Sequence, residues 1–308
     1  MFCRMFPPSL MAGVVGVATC TATVAAAHGF AGPRFFPATI ATEDPFVADE
    51  LALPTVAWFK DNADVRTTTY SVDFSKRITS NFGIGFGGRY VQLRPPGGST
   101  VDGFDNFALS AKYQFSVDTT HETIFSIGID ADLGGTGTDR IGAEHFSTIT
   151  PAFFFGKGFG DLADRTSMLR AFAVTGSIGV AIPTEARSPD GFGGFQDHPN
   201  TLKVGLALEY SFPYLQSQVR NVGLGSPLDR LILVTELSFQ TPLDRGSGKT
   251  TGTVNPGLLW AGQYVQLSAE AIIPWNRDSG HAIGFLAQLH FYIDDIFPMS
   301  LGRPLIGG

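Results

Sequence analysis

The stretch NTLKVGLALEYSF, residues 200–212, decides the fold. Leu202, Val204, Leu206, Leu208, Tyr210 and Phe212 keep one register, while Lys203, Gly205, Ala207, Glu209 and Ser211 hold the other. Successive side chains of a β-strand point to opposite faces, so this segment carries one apolar face and one small or polar face. The segment at 282–293 repeats the pattern: Ile283, Phe285, Ala287, Leu289, Phe291 and Ile293 alternate with Gly284, Gln288, His290 and Tyr292. Both segments exceed the roughly 5 to 6 residues usual in globular sheets. They match the roughly 9 to 11 that a tilted strand needs to cross a bilayer.

Working outward, period two recurs from residue 51 to residue 293. It predicts twelve strands, at 51–60, 65–75, 80–93, 106–117, 123–133, 146–157, 168–183, 200–212, 229–242, 253–261, 263–273 and 282–293. In the third, Phe82, Ile84 and Phe86 alternate with Gly83, Gly85, Gly87 and then Arg89. In the fifth, Phe125, Ile127 and Ile129 oppose Ser126, Gly128, Asp130 and Asp132. Long polar connections at 94–105, 134–145, 184–199, 244–252 and 274–281 fall on one side of the count, and mostly tight turns fall on the other. That asymmetry belongs to barrels with short periplasmic turns and longer outer loops. The connections at 158–167 and 213–228 are longer than the rule. Aromatic residues crowd the strand ends (Phe153, Phe154, Phe155, Tyr210, Phe212, Tyr214, Trp260, Tyr264), where an interfacial girdle is expected. The expected fold is therefore all-β: a transmembrane antiparallel up-and-down β-barrel of about 12 strands.

Composition agrees. Among 308 residues, 37 are Gly and 27 Phe, and only 16% are charged, against about 25% in ordinary soluble domains. Mean hydropathy is nonetheless only +0.12, and no segment after residue 27 reaches the roughly 18 unbroken apolar residues of a spanning helix. A barrel reconciles these facts because alternation hides its apolar face.

Residues 1–27 read as a secretory signal peptide, with Arg4, an apolar run at 10–18 and Ala25, Ala26 and Ala27 before the cleavage point. Thr19 is a poor residue to precede a lipidated Cys20. Cleavage makes His28 the first mature residue and removes both cysteines, Cys3 and Cys20, so neither disulfides nor Cys-ligated metals are expected. It leaves 20 Lys+Arg against 28 Asp+Glu, a net charge of −8, which excludes nucleic acid as a partner. Residues 28–50, with Pro33, Pro37 and Pro45 and no period, read as an extended periplasmic arm near the barrel mouth. Residues 51–293 form the barrel and 294–308 a periplasmic tail.

The expected lumen lining includes Asp73, Arg89, Lys112, Asp130, Asp132, Lys203, Glu209, Glu236, Glu270, Gln288 and His290. Acids outnumber bases in this set, which implies a mild bias against anions. No catalytic constellation stands out. His290 is the only histidine on a strand, no G-x-S-x-G elbow is present, and neither GIGFGG at 83–88 nor GFGGF at 191–195 has the helix and Lys of a phosphate loop. No enzyme activity and no cofactor are expected. His28 offers an α-amine and an imidazole to a metal such as copper, with His121, His145, Glu43 or Asp44 as further ligands.

From VDFSKRITSNFGIGFG at 72–87 to GFLAQLHFYIDDIFP at 284–298, the chain resembles the outer-membrane transporter-like barrels of the meta-pathway phenol-degradation type. The resemblance covers most of the chain after residue 50 and rests on patterning. It implies a channel for small hydrophobic or aromatic solutes. The chain departs from such barrels by continuing past Tyr292 and Ile293, so that either HFYI serves the barrel-assembly machinery as an internal signal or the tail folds into the periplasmic mouth. The expected function is passive passage of a small-molecule solute across the bacterial outer membrane, with membrane lipid around the wall. A non-conducting barrel that binds partners through loops 94–105 and 184–199 is the second reading, and copper handling through His28 the third.

Overall fold

The computed structural model describes residues 29–189 and 194–307. Twelve long antiparallel strands form its body: β1 (Glu50–Lys60), β2 (Arg66–Arg77), β3 (Phe82–Arg94), β4 (Ala108–Asp118), β5 (Thr123–Asp132), β6 (Thr148–Gly158), β7 (Phe172–Pro183), β8 (Thr201–Ser211), β9 (Leu231–Pro242), β10 (Thr251–Ala261), β11 (Val265–Pro274) and β12 (Gly284–Tyr292). Each pairs with its sequence neighbour, and β12 pairs with β1, so the sheet closes on itself. Closure leaves no long edge unpaired, which is what allows a sheet to exist in lipid. The fold is a closed twelve-stranded barrel.

Alternation is obeyed with the hydrophobic face outward. Tyr70, Val72, Phe74, Ile84, Phe86, Leu109, Phe115, Ile127, Ile129, Leu208 and Phe285 are all exposed on the outer wall. Their neighbours Ser126, Thr175, Ala207, Glu209, Glu236 and Gln266 are buried within. A water-soluble barrel would reverse this arrangement.

Three local findings depart from the simple pattern. Strand β1 carries a bulge at Leu53-Pro54, where Ala52 and Thr55 both face inward and the register shifts against β12 and β2 alike. Proline has no N–H to give a ladder, so a bulge is where a strand can hold it. Residues Met168–Ala171 form a 3₁₀ turn, and β7 begins only at Phe172, with Ser167 capping the turn through its hydroxyl. Phe154 points into the lumen beneath Lys112, leaving Phe153 and Phe155 on the outer wall.

The five long loops emerge at one end of the barrel. Loop 95–107 contributes Val101–Phe104, which extends the sheet beside β3, and the loop after β7 holds the short pair Arg187–Pro189 and Phe195–Asp197. The first and last described residues and the tighter turns share the opposite end. There the long β8–β9 connection begins with a compact helical segment spanning residues 212–219, with Tyr214 and Leu215 buried, and ends in a 3₁₀ turn at Leu228–Arg230.

Candidate functional site: a chamber floored by the N-terminal arm

Residues 29–49 run inside the barrel. Gly29 to Phe36 form a small hairpin, pairing Phe30 with Phe35 and Ala31 with Arg34, that lies across the terminus end. Arg34 is fully buried there. Its Nε donates to Glu122 Oε2 at 3.1 Å, its guanidinium donates to the carbonyls of Arg170 and Ala171, and it stacks 3.5 Å over the Tyr214 ring. Tyr214 donates its hydroxyl to the other Glu122 oxygen at 2.5 Å, and the Gly160 N–H donates to Oε2. Burial and this bond to a carboxylate push the Tyr214 hydroxyl up to about 12. Ala31 and Phe36 of the hairpin, with Phe46 and Ala48 further along the arm, pack on Ile124 and Ala173 of the wall as a dry core.

The middle of the arm is held by backbone chemistry. Glu236, fully buried on β9, accepts the N–H groups of Ile40 (2.8 Å), Ala41 (2.9 Å) and Thr42 (2.6 Å), together with the Thr42 hydroxyl (2.8 Å). Successive N–H groups of a turn make an anion-binding concavity, here filled by a side chain of the wall. Elsewhere on the wall, Gln266 donates to the Ala38 carbonyl, Lys112 to the Asp44 carbonyl at 2.6 Å, Ser126 to the Pro45 carbonyl and Ser75 to the Ala48 carbonyl. The far end is fixed by Asp49, which pairs with Lys76 (2.8 Å) and Arg77 (2.9 Å).

Above this floor lies a cavity of about 540 Å³. It draws together eight of the eleven expected lumen residues: Asp73, Arg89, Lys112, Asp130, Asp132, Lys203, Gln288 and His290. The arm adds Thr39, Glu43 and Asp44, and β1 adds Glu50 and Thr55. Asp73 faces Arg89, Glu43 and His290, and Asp130 faces Glu43, Lys112 and Lys203. Arg89 lies 3.7 Å from Asp105 and 3.9 Å from Asp132, with side chains still 47% and 40% exposed for Arg89 and Asp132, so the chamber meets solvent at the loop end. His290 approaches Glu50 at 3.5 Å, and Gln288 donates to Thr55 at 3.0 Å. Asp44 accepts from the Thr39 N–H and hydroxyl. Burial, and then the Glu50 carboxylate, nevertheless push the Asp44 carboxyl up to about 7.

The other three expected residues lie outside the chamber lining. Glu236 binds the arm, Glu209 accepts from Thr175 at 3.3 Å, and Glu270 is buried beside Glu236 and Asn255. Glu122, Arg34, Asp49 and Thr42 were invisible to sequence reasoning, because a segment without period gives no face to assign. The lone arginine among the arm's apolar residues was the one available hint.

On the terminus side of the arm a second, more apolar pocket of about 390 Å³ is lined by Phe30, Phe35, Pro213, Tyr214, Arg230 and Tyr292, among others. His28 lies outside the described residues. Its proposed co-ligands are dispersed: His121 bonds Asp118 at a terminus-end turn, His145 sits in a loop-end connection, and Glu43 and Asp44 are in the chamber. Among the described residues no group of three or more His, Cys, Asp or Glu is arranged to hold a metal.

No family model matches the chain, and no curated protein matches it in sequence. Solved structures do. An outer membrane channel from Pseudomonas putida F1 superimposes with a TM-score of 0.52 at 11% identity, over 84% of this chain and 98% of that one. The fold is an outer-membrane-type β-barrel. The β domain of a Bordetella autotransporter (TM-score 0.45, 12% identity, 79% of this chain and 98% of that one) and the translocator domain of an autotransporter from Neisseria meningitidis (0.43, 10%, 79% and 86%) are more distant. At such identities the likeness extends to architecture alone.

Proposed function

We propose that this chain is a gated channel of the bacterial outer membrane. A small solute enters the loop-end chamber and passes only when the arm yields. The carrying observation is the chamber itself: about 540 Å³, within the usual range of small-molecule sites, wet at one end and floored by residues 38–48 rather than by the wall. Its volume suits a molecule of one or two rings, in keeping with the aromatic solutes that the resemblance to phenol-degradation barrels implies. Its lining adds a charge preference. Glu43, Glu50, Asp73 and Asp132 outnumber Arg89, Lys112 and Lys203, so neutral or cationic solutes are favoured over anions. The reading assigns no reaction and no cofactor to the protein.

The filled lumen also supports a second reading, a barrel that does not conduct and presents its loops to partners. Planar-bilayer recording of the refolded protein and of a Glu236→Leu variant separates them. The channel reading expects low conductance in the native chain, a large increase in the variant, and reversal potentials showing potassium preferred over chloride. Silence from both proteins across a wide voltage range favours the closed barrel, and a clear chloride preference removes the charge argument.

A further inference from the structure

The last residues of the chain form an ordered apolar strip with no cover. After β12 the chain makes one helical turn, Ile293–Ile296, and then runs sideways along the terminus-end rim. It is pinned at every stage by its backbone. Ile293 N–H donates to the Asp49 carbonyl at 2.9 Å, and Lys76 donates to the carbonyls of Leu301 and Arg303. Arg77 donates to the Gly302 carbonyl at 2.8 Å, and the N–H groups of Leu305 and Ile306 donate to the carbonyls of Arg77 and Ile78. The tail thus crosses the ends of β1 and β2 and reaches the β2–β3 turn at the rim.

This anchoring fixes the backbone while turning the side chains away. Phe297, Met299, Leu301, Leu305 and Ile306 are 45%, 79%, 62%, 66% and 65% exposed. A contiguous apolar strip of this kind on an ordered segment marks a contact surface. Two observations identify what it contacts. The strip continues the outer wall, because Lys76, whose ammonium holds the tail, follows the outward-facing Phe74 at the foot of β2, and Ile84 and Phe86 face outward on the next strand. Its charge suits a bilayer boundary: after Asp295 the only charged side chain is Arg303, set among apolar residues at the level where basic and apolar groups meet lipid headgroups.

We infer that the C-terminal strip 297–306 is an interfacial lipid anchor, seating the barrel rim at the headgroup boundary of the inner leaflet. The inference rests on the membrane reading of the barrel. Arg77 and Lys76 join the anchor to Asp49 at the root of the arm, so the seam where the barrel closes and the arm begins is tied to the membrane surface.

Site-directed spin labelling tests this. With Cys3 and Cys20 replaced by Ser, single cysteines are introduced by Met299→Cys, Leu301→Cys and Leu305→Cys, with Ile127→Cys on the outer wall and Asp64→Cys in a loop as references. The labelled proteins are refolded into phosphatidylcholine vesicles, and accessibility to oxygen and to a water-soluble nickel chelate is read for each. Tail labels favouring oxygen as Ile127 does, at shallower depth, support the anchor. Tail labels matching Asp64 while Ile127 stays in lipid overturn it and leave the membrane barrel standing. Protection from both reagents places a second copy or another protein over the strip and also overturns it. A water-exposed label at Ile127 removes the membrane reading and the anchor with it.

Discussion

The lumen has two halves made from the same strands by the same alternation, and they behave differently. At the loop end the inward positions of β2, β3, β5 and β8 present Asp73, Arg89, Asp130, Asp132 and Lys203 to a wet cavity, where charges of both signs keep much of their solvation. At the terminus end the inward positions meet the arm, and Arg34, Glu122, Thr175 and Glu236 are sealed from water. A surface charge pair contributes about 0 to 1 kcal/mol, whereas removing one partner of a buried pair costs about 3 to 5 kcal/mol. The same inward acid is therefore a selectivity element in one half and a structural clamp in the other.

Breaking the sealed half is expected to have the largest effect. Arg34→Met leaves Glu122 buried with Tyr214 and the Gly160 N–H but without its cation. A loss of about 3 to 5 kcal/mol in the seating of the hairpin is predicted, read as loss of hydrogen-exchange protection at Ala31 and Phe36, with the barrel strands unchanged.

Strand β3 crosses both halves and permits a matched comparison. A side chain at Gly83 meets Val47 Cγ1 of the arm at 2.7 Å, while one at Gly87 meets the end of the movable Asp73 side chain at 2.7 Å. Gly83→Ala should therefore displace the arm at a cost of about 1 to 3 kcal/mol, and Gly87→Ala should leave protection of the arm at the native level. Equal effects from the two would remove the distinction between a packed half and an open one.

The boundary between the halves is predicted to respond to pH. The Asp44 carboxyl sits at about 7 when the arm is seated, against 3.8 for a free group. The seated arm binds the proton more tightly, so this contribution to seating is complete below about pH 4 and is lost as pH rises through 7. Arm protection measured from pH 4 to 8 should fall along that course, and Asp44→Asn should flatten it.

The smallest effect is expected in the chamber. Asp132→Asn removes one partly solvated charge, and thermal stability should change by less than about 1 kcal/mol. Potassium-to-chloride selectivity should fall, as measured by reversal potential in the Glu236→Leu background. A large stability loss from this change would place Asp132 with the clamps.

Much of the architecture was legible because alternation is a local property. A strand such as 201–211 shows its two faces in its own residues, and the sites Lys203 and Glu209 could be assigned inward from Leu202, Val204 and Leu208 alone. Alternation is broken at Leu53-Pro54, where a bulge absorbs one residue, and at Phe154, where an aromatic residue takes an inward place. It is absent from residues 29–49. These make no strand ladder with the wall, and their hydrogen bonds to the rest of the chain reach 27 to 245 positions away in sequence.

Local pattern alone dictates the closed barrel, the division of its residues into inward and outward sets, and the end from which the long loops rise. Period and loop length are written in neighbouring residues. Only the tertiary structure decided that the inward set divides by height into a wet chamber and a dry clamp, that the arm is the floor between them, and that the tail lies along the rim. Those outcomes depend on which backbone groups reach Glu236, Glu122 and Asp49 across the closed wall. Such long-range pairings leave no local period in the chain.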